Sequence, residues 1–227
     1  MDGLEFQRDG LQLYRAVYDG AGVERLRAIP TNGPGVRLQD DSLPDLLAPV
    51  SRLASRLLGI GARPVRAVLF DKTAEGNWAL GWHQDRTLVV EERREVEGFG
   101  PWSRKDGAIH VAPPIELLRR MATFRVHLDP CGSGNAPLKA AIGSHDIGYV
   151  AADQAATEAE KRTIVECLAE VGDVWAYSTP ILHASARAAS PTRRRVLQVD
   201  YAAFALPGGL IWRGVTTHAP GRPYSAA

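Results

Sequence analysis

Two short runs in the sequence place an aspartate two residues after a histidine: His83-Gln84-Asp85 and His127-Leu128-Asp129. Both lie in stretches of β-forming residues. Strand side chains alternate faces, so the members of each pair project from one face about 7 Å apart. A neutral imidazole and a carboxylate converging in this way hold a divalent metal or hydrogen-bond to each other. With 6 histidines and 14 aspartates in 227 residues, chance alone supplies roughly 0.4 such pairs, so the spacing needs further support.

The support lies with the first pair. A facial site of two histidines and one carboxylate needs another histidine from a distant strand and keeps open positions for oxygen and a co-substrate. His183 ends the strand-like run "DVWAYSTPILHAS", 98 residues beyond Asp85. The triplet Arg193-Arg194-Arg195 follows and opens the next strand, and an arginine there suits a bidentate pair with the carboxylate of a metal-bound 2-oxo acid. Asp129 instead precedes Pro130 in a turn, where a local Asx-type hydrogen bond is the simpler reading. His145, in "GSHD", reads as a turn residue or a rim position, and His110 and His218 show no partner pattern.

Positioning such a site requires strands, and the chain supplies them. Apolar residues at 43, 46, 47, 50, 53, 54, 57 and 58 predict an amphipathic helix from Leu43 to Leu58, ended by Gly59 and Gly61. A shorter helix is expected over residues 22–29, ended by Pro30. Beyond residue 64 the period becomes two: 64–70, 80–90, 122–129, 163–169, 173–185 and 194–204 all read as strands separated by glycine- and proline-containing turns. "TEAE" at 157–160 resembles a capping box. Helices followed by many short strands indicate a mainly β fold, a sandwich or barrel with a helical flank.

Bulk properties narrow the functional class. The 27 basic and 26 acidic side chains leave a formal charge of +1, with no field favouring nucleic acid or an anionic membrane. Lysine occurs only at 72, 105, 139 and 161, leaving 23 arginines. No apolar run reaches 18 residues and no secretory signal opens the chain, so neither secretion nor membrane insertion is expected. Cys131 and Cys167 fit neither a disulfide framework nor a zinc knuckle, and a reduced, cytoplasmic protein of one domain is expected over residues 1–227.

Four ordered blocks carry a resemblance: "GWHQD", "FRVHLDPCGSGNAPLKAAIGSHDIG", "GDVWAYSTPILHAS" and "SPTRRRVLQVDYA". Together they resemble the phytanoyl-CoA dioxygenase family of Fe(II)/2-oxoglutarate-dependent oxygenases, from about residue 65 to 204. The N-terminal "FQRDG" followed by a helix also fits. The resemblance implies a double-stranded β-helix (jelly-roll, cupin-like) core over about 64–204, with N-terminal flanking helices over about 1–63. It assigns the metal, Fe(II), to His83, Asp85 and His183, the far carboxylate of 2-oxoglutarate to Arg194, and a co-substrate contact to Ser185. Arg193 and Arg195 should point to the other face. Ala136 and Ala184 replace family glycines, and Cys131 sits in a turn; no ligand is lost. With Asp85 present, hydroxylation by O2 of a C–H bond in a small molecule is implied rather than halogenation, with release of succinate and CO2. The same ligands suit a zinc-dependent hydrolase, and a non-catalytic jelly-roll binding module is the plain alternative.

Residues 91–119 interrupt the strands directly after the first pair, and loops longer than about 12–15 residues are usually functional or disordered. The segment carries Phe99, Trp102 and Ile109 beside Arg104, Lys105 and His110. It is therefore expected to fold over the metal as a lid, with Trp102 packing on substrate and Arg104 or Lys105 meeting an anionic group. Fold and cofactor leave the substrate itself open.

Overall fold

The computed structural model describes residues 3–31 and 33–217; His218 lies outside them. The fold is mainly β, 32% strand and 22% helix, in antiparallel sheets. In chain order the elements are α1 (Phe6–Asp9), β1 (Leu11–Tyr14), α2 (Gly20–Arg27), β2 (Gly35–Leu38), α3 (Leu43–Leu46), α4 (Ala48–Leu58), β3 (Arg63–Lys72), β4 (Leu80–His83), β5 (Leu88–Val90), β6 (Trp102–Lys105), β7 (Ala108–Val111), α5 (Ile115–Arg119), β8 (Met121–His127), β9 (Leu138–Ala141), α6 (Ala155–Glu160), β10 (Ile164–Cys167), β11 (Val174–Ser178), β12 (His183–Ser185) and β13 (Arg194–Ala202).

A six-stranded sheet runs β1-β11-β8-β13-β3-β2, and a four-stranded sheet runs β10-β9-β12-β4. Between them lies a cavity of about 200 Å³ lined by residues of both. This is the jelly-roll arrangement, two sheets closed over a site.

Period-two alternation sorts the large sheet. Ala67 and Leu69 of β3, Phe124 and Val126 of β8, Val174 and Ala176 of β11, and Leu197, Val199 and Tyr201 of β13 pack with Val23, Leu26, Leu47, Val50, Leu53 and Ala54 of the flanking helical region. Burying that face supplies the main driving force, about 25 cal/mol per Å² of apolar surface removed from water. The alternate residues face the cavity: Arg66, Val68, Phe70 and Lys72 of β3, Arg125 of β8, and Arg194, Val196 and Gln198 of β13. One face thus holds the fold together and the other carries the polar chemistry.

Three expectations are corrected. The helix over 43–58 breaks at Leu47 into α3 and α4, because Pro49 cannot donate to the carbonyl four residues back and its ring crowds it. The turn at "TEAE" begins earlier, with Gln154 as N-cap of α6 and no side-chain cap bond. Segment 91–119, expected to interrupt the strands, carries two of its own. Its strands β6 and β7 form a hairpin, and β7 pairs with β5 in a third sheet, β5-β7-β6. No helix among the described residues is long and apolar enough to cross a membrane.

Candidate metal centre

Strand pairing brings the two distant histidines together. In the β12–β4 ladder His183 is the direct partner of His83, and their ring centroids lie 4.2 Å apart. Asp85 leaves the end of β4 toward the same space, and the candidate ligand atoms of the three residues all lie within 4.8 Å of one another. Both imidazoles are set by the same local device. Nδ1–H of His83 donates to the Gly81 carbonyl at 2.8 Å, and Nδ1–H of His183 donates to the Ile181 carbonyl at 2.9 Å. Each proton is thereby fixed on Nδ1, leaving Nε2 with a lone pair. Burial pushes His183 down to about 4 although Asp85 pulls the other way, so at neutral pH it is a neutral imidazole whose Nε2 lone pair is free to bind a metal.

Asp85 is equally constrained. Arg66 Nη2 lies 3.6 Å from its Oδ2, and Gln198 Nε2 donates to the same oxygen at 3.3 Å. Burial pushes the carboxyl up, but Arg66, His183, His83 and Arg125 outweigh it, and the pKa sits below the usual aspartate value. Oδ1 remains for a ligand. Arg66 in turn reaches Asp200 with its Nε 2.7 Å from Oδ2, and Thr123 donates to Asp200 Oδ1 at 3.0 Å. Asp200 is raised above the ordinary range by burial, with Asp85 nearby adding to the effect against Arg66.

The other end of the cavity is cationic. Arg194 opens β13, 4% exposed, and its Nη1 donates to Cys131 Sγ at 3.7 Å. Lys72 is its direct cross-strand partner; it donates to the Trp78 carbonyl at 2.7 Å and to Ser185 Oγ at 3.4 Å. Burial, with Arg194 and Arg125 repelling, lowers Lys72 to about 8. Arg125 donates from Nη1 to Gln198 Oε1 at 2.7 Å.

His83, Asp85, His183, Arg194 and Ser185 therefore line one cavity. Arg193 and Arg195 leave it. Arg193 pairs with Asp71 at 2.8 Å on the surface, and Arg195 grips Asp129 through Nε at 2.9 Å and Nη2 at 2.8 Å. Asp129 thus has long-range partners, Arg195 and Arg27, where a local turn bond was expected. His127 is 2% exposed, and among the described residues no group bonds either ring nitrogen. His145 is buried, so close over Gly10 that a Cβ there would come within 2.3 Å of its ring. His110 sits between Thr87 Oγ1 at 3.2 Å and Arg37 Nη2 at 3.1 Å.

Trp102, Arg104 and Lys105 do not line the cavity. Trp102 packs with a separate cluster that includes Leu88, Val90, Val111 and Trp212, while Arg104 and Lys105 are exposed. The lining of this cavity gives no support to the substrate contacts expected of them. The cavity residues overlooked in the sequence are Arg66, Lys72, Trp78, Arg125 and Gln198. Apart from Trp78, which lies in the connection before β4, their sign was polar side chains spaced by two in strands whose other face is mostly apolar.

The profile of the phytanoyl-CoA dioxygenase (PhyH) family matches residues 6–196. The chain belongs to that family. No curated protein sequence matches it closely enough to count as a relative. Among solved structures, AviO1 from Streptomyces viridochromogenes Tue57 is similar at TM-score 0.63 and 22% identity, over 89% of this chain and 93% of that one. HygX from Streptomyces hygroscopicus, with nickel and 2-oxoglutarate bound, is similar at TM-score 0.57 and 16% identity, over 87% and 83%. SnoK, a non-heme alpha-ketoglutarate-dependent carbocyclase from nogalamycin biosynthesis, is similar at TM-score 0.66 and 15% identity, over 100% and 95%. These likenesses concern the fold.

Proposed function

We propose that this chain is an Fe(II)- and 2-oxoglutarate-dependent oxygenase that hydroxylates a C–H bond of a small organic molecule. The observation that carries the reading is the convergence of His83, Asp85 and His183 within 4.8 Å at one end of a cavity whose other end holds the buried Arg194. Two imidazole nitrogens and one carboxylate oxygen fit a facial iron site with open positions. When bound, iron and 2-oxoglutarate supply the oxidising chemistry, with O2 consumed and succinate and CO2 released.

The protein's own residues do the positioning. Gly81 and Ile181 fix the histidine tautomers, and Arg66 with Gln198 turns one oxygen of Asp85 away from the metal. Arg194, beside Ser185, receives the far carboxylate of the co-substrate through a charge-assisted pair. Phe70, Val68 and Val196 make the intervening wall apolar and hold water out. Asp85 supports hydroxylation over halogenation, because on a bound metal it would take the position a halide needs. A single-domain, cytoplasmic protein completes the reading, supported by two free, buried cysteines.

Anaerobic titration tests it. Iron and 2-oxoglutarate together should produce a weak visible charge-transfer band, and admitting O2 should convert 2-oxoglutarate to succinate. A zinc hydrolase or a binding module shows neither. Absence of both the band and succinate in a metal-loaded sample overturns the proposal.

A further inference from the structure

The cavity carries more positive charge than the metal and co-substrate consume. Lys72, Arg125 and Arg194 all line it, each less than a tenth exposed. Among the described residues none has a carboxylate partner: Lys72 rests on a carbonyl and a hydroxyl, Arg194 on a thiol, and Arg125 on an amide oxygen. Arg66 is accounted for separately, between Asp85 and Asp200. A divalent metal on Asp85 adds one net positive charge to the three cations. The two carboxylates of 2-oxoglutarate offset two of those four, and two remain. Buried charge without a counter-ion is strongly disfavoured, so the complete complex calls for a further anion.

Arg125 is the cation placed to meet it. It lies opposite Gln198 across the β8–β13 ladder, and Gln198 also donates to Asp85, so one side chain separates Arg125 from a metal ligand. Arg194 stands four residues away along β13, beside Lys72. The Arg125 guanidinium lies 5.6 Å from the Phe70 ring centroid, with Nε buried and without a hydrogen-bond partner among the described residues. Apolar lining continues from Phe70 through Val68 and Val196 to Leu80, which is 51% exposed at the rim.

We propose that the primary substrate is an organic acid with an apolar body, and that Arg125 receives its carboxylate beside the metal. The inference rests on the oxygenase reading above, which supplies the charges already accounted for.

Benzoate and benzamide are matched probes, differing in charge at nearly constant shape. Binding is measured on the full chain loaded with Ni(II), which holds the co-substrate without turnover, and saturated with 2-oxoglutarate. Wild type should bind benzoate at least about tenfold more tightly than benzamide, as a charge-assisted pair to a buried guanidinium predicts. Arg125→Gln should bring the two within about twofold of each other while 2-oxoglutarate affinity stays within about threefold, and Arg125→Lys should keep most of the preference. Equal binding of acid and amide by wild type overturns the proposal, and that measurement needs no variant to fold. So does an Arg125→Gln protein that loses 2-oxoglutarate as severely as Arg194→Gln, since Arg125 would then serve the co-substrate. Failure of wild type to bind Ni(II) or 2-oxoglutarate is a separate result and strikes the oxygenase reading itself.

Discussion

Replacing His127 by leucine separates the two His-x-Asp pairs in a single experiment. His127 faces inward from β8, is 2% exposed, and has no partner among the described residues at either ring nitrogen. Burial first, then repulsion from Arg125 and Arg194, pushes it down to about 3 from its ordinary 6.5. Between those two values the unfolded chain carries a proton at His127 and the folded chain does not. Unfolding therefore takes up a proton, and stability falls as pH drops from 6.5 toward 3. Each pH unit in that window costs about 1.4 kcal/mol, so the 1.5 units from pH 6.5 to pH 5 cost about 2 kcal/mol. Leucine has no such equilibrium.

The assay is urea unfolding of wild type and His127→Leu at pH 7 and pH 5. The loss between the two pH values should be about 2 kcal/mol larger for wild type, because other titrating groups cancel in the comparison. The same variant should bind Ni(II) within about twofold of wild type, since a facial site draws on other residues. Parallel pH dependences would refute the buried, neutral state of His127. A collapse of metal affinity in the folded variant would show that the second pair, not the first, holds the metal.

Asp85→Ala and His183→Ala should each lower metal affinity by at least about 100-fold while the protein stays folded, measured by metal titration and circular dichroism. Arg194→Ala should weaken 2-oxoglutarate binding about 100-fold in the anaerobic titration, the equivalent of roughly 3 kcal/mol for stranding one carboxylate. Arg193→Ala should leave co-substrate affinity unchanged, and so should Arg195→Ala, which instead should cost about 1 kcal/mol of stability in urea, because Asp129 loses its bidentate partner but keeps Arg27 and the backbone N–H of residue 195. Trp102→Ala should also be a stability variant, losing about 2–3 kcal/mol as this partly buried ring is stripped from the buried cluster it packs on, with metal and co-substrate binding intact. A selective loss of substrate oxidation in a stable Trp102→Ala protein would support the lid.

Much of the fold was legible because its driving pattern is local. The alternation in "RRVLQVDYA" predicts which residues of β13 face the helices and which the cavity, and the structure has Leu197, Val199 and Tyr201 on the first side and Arg194, Val196 and Gln198 on the other. The same parity sends Arg193 and Arg195 away from Arg194. What parity cannot supply is the partner, because cross-strand register joins residues far apart in the chain. Asp129 read as a turn aspartate while its ligands, Arg27 and Arg195, lay 102 and 66 residues away. The hairpin within the insertion was not legible, because pairing of β7 with β5 leaves no mark within 91–119 alone.

Arg66 shows what could have been read and was not. In "PVRAVLF" the neighbours Val65, Ala67 and Leu69 declare a buried strand, and an arginine on its other face must meet anions or pay several kcal/mol in lost solvation. The anions arrive from 19 and 134 residues away as Asp85 and Asp200. A charge spaced by two along an otherwise apolar strand therefore marks a site wall before any partner is known. By that criterion β3, with Arg66 and Lys72 on one face, pointed at the cavity as plainly as His83 and Asp85 did.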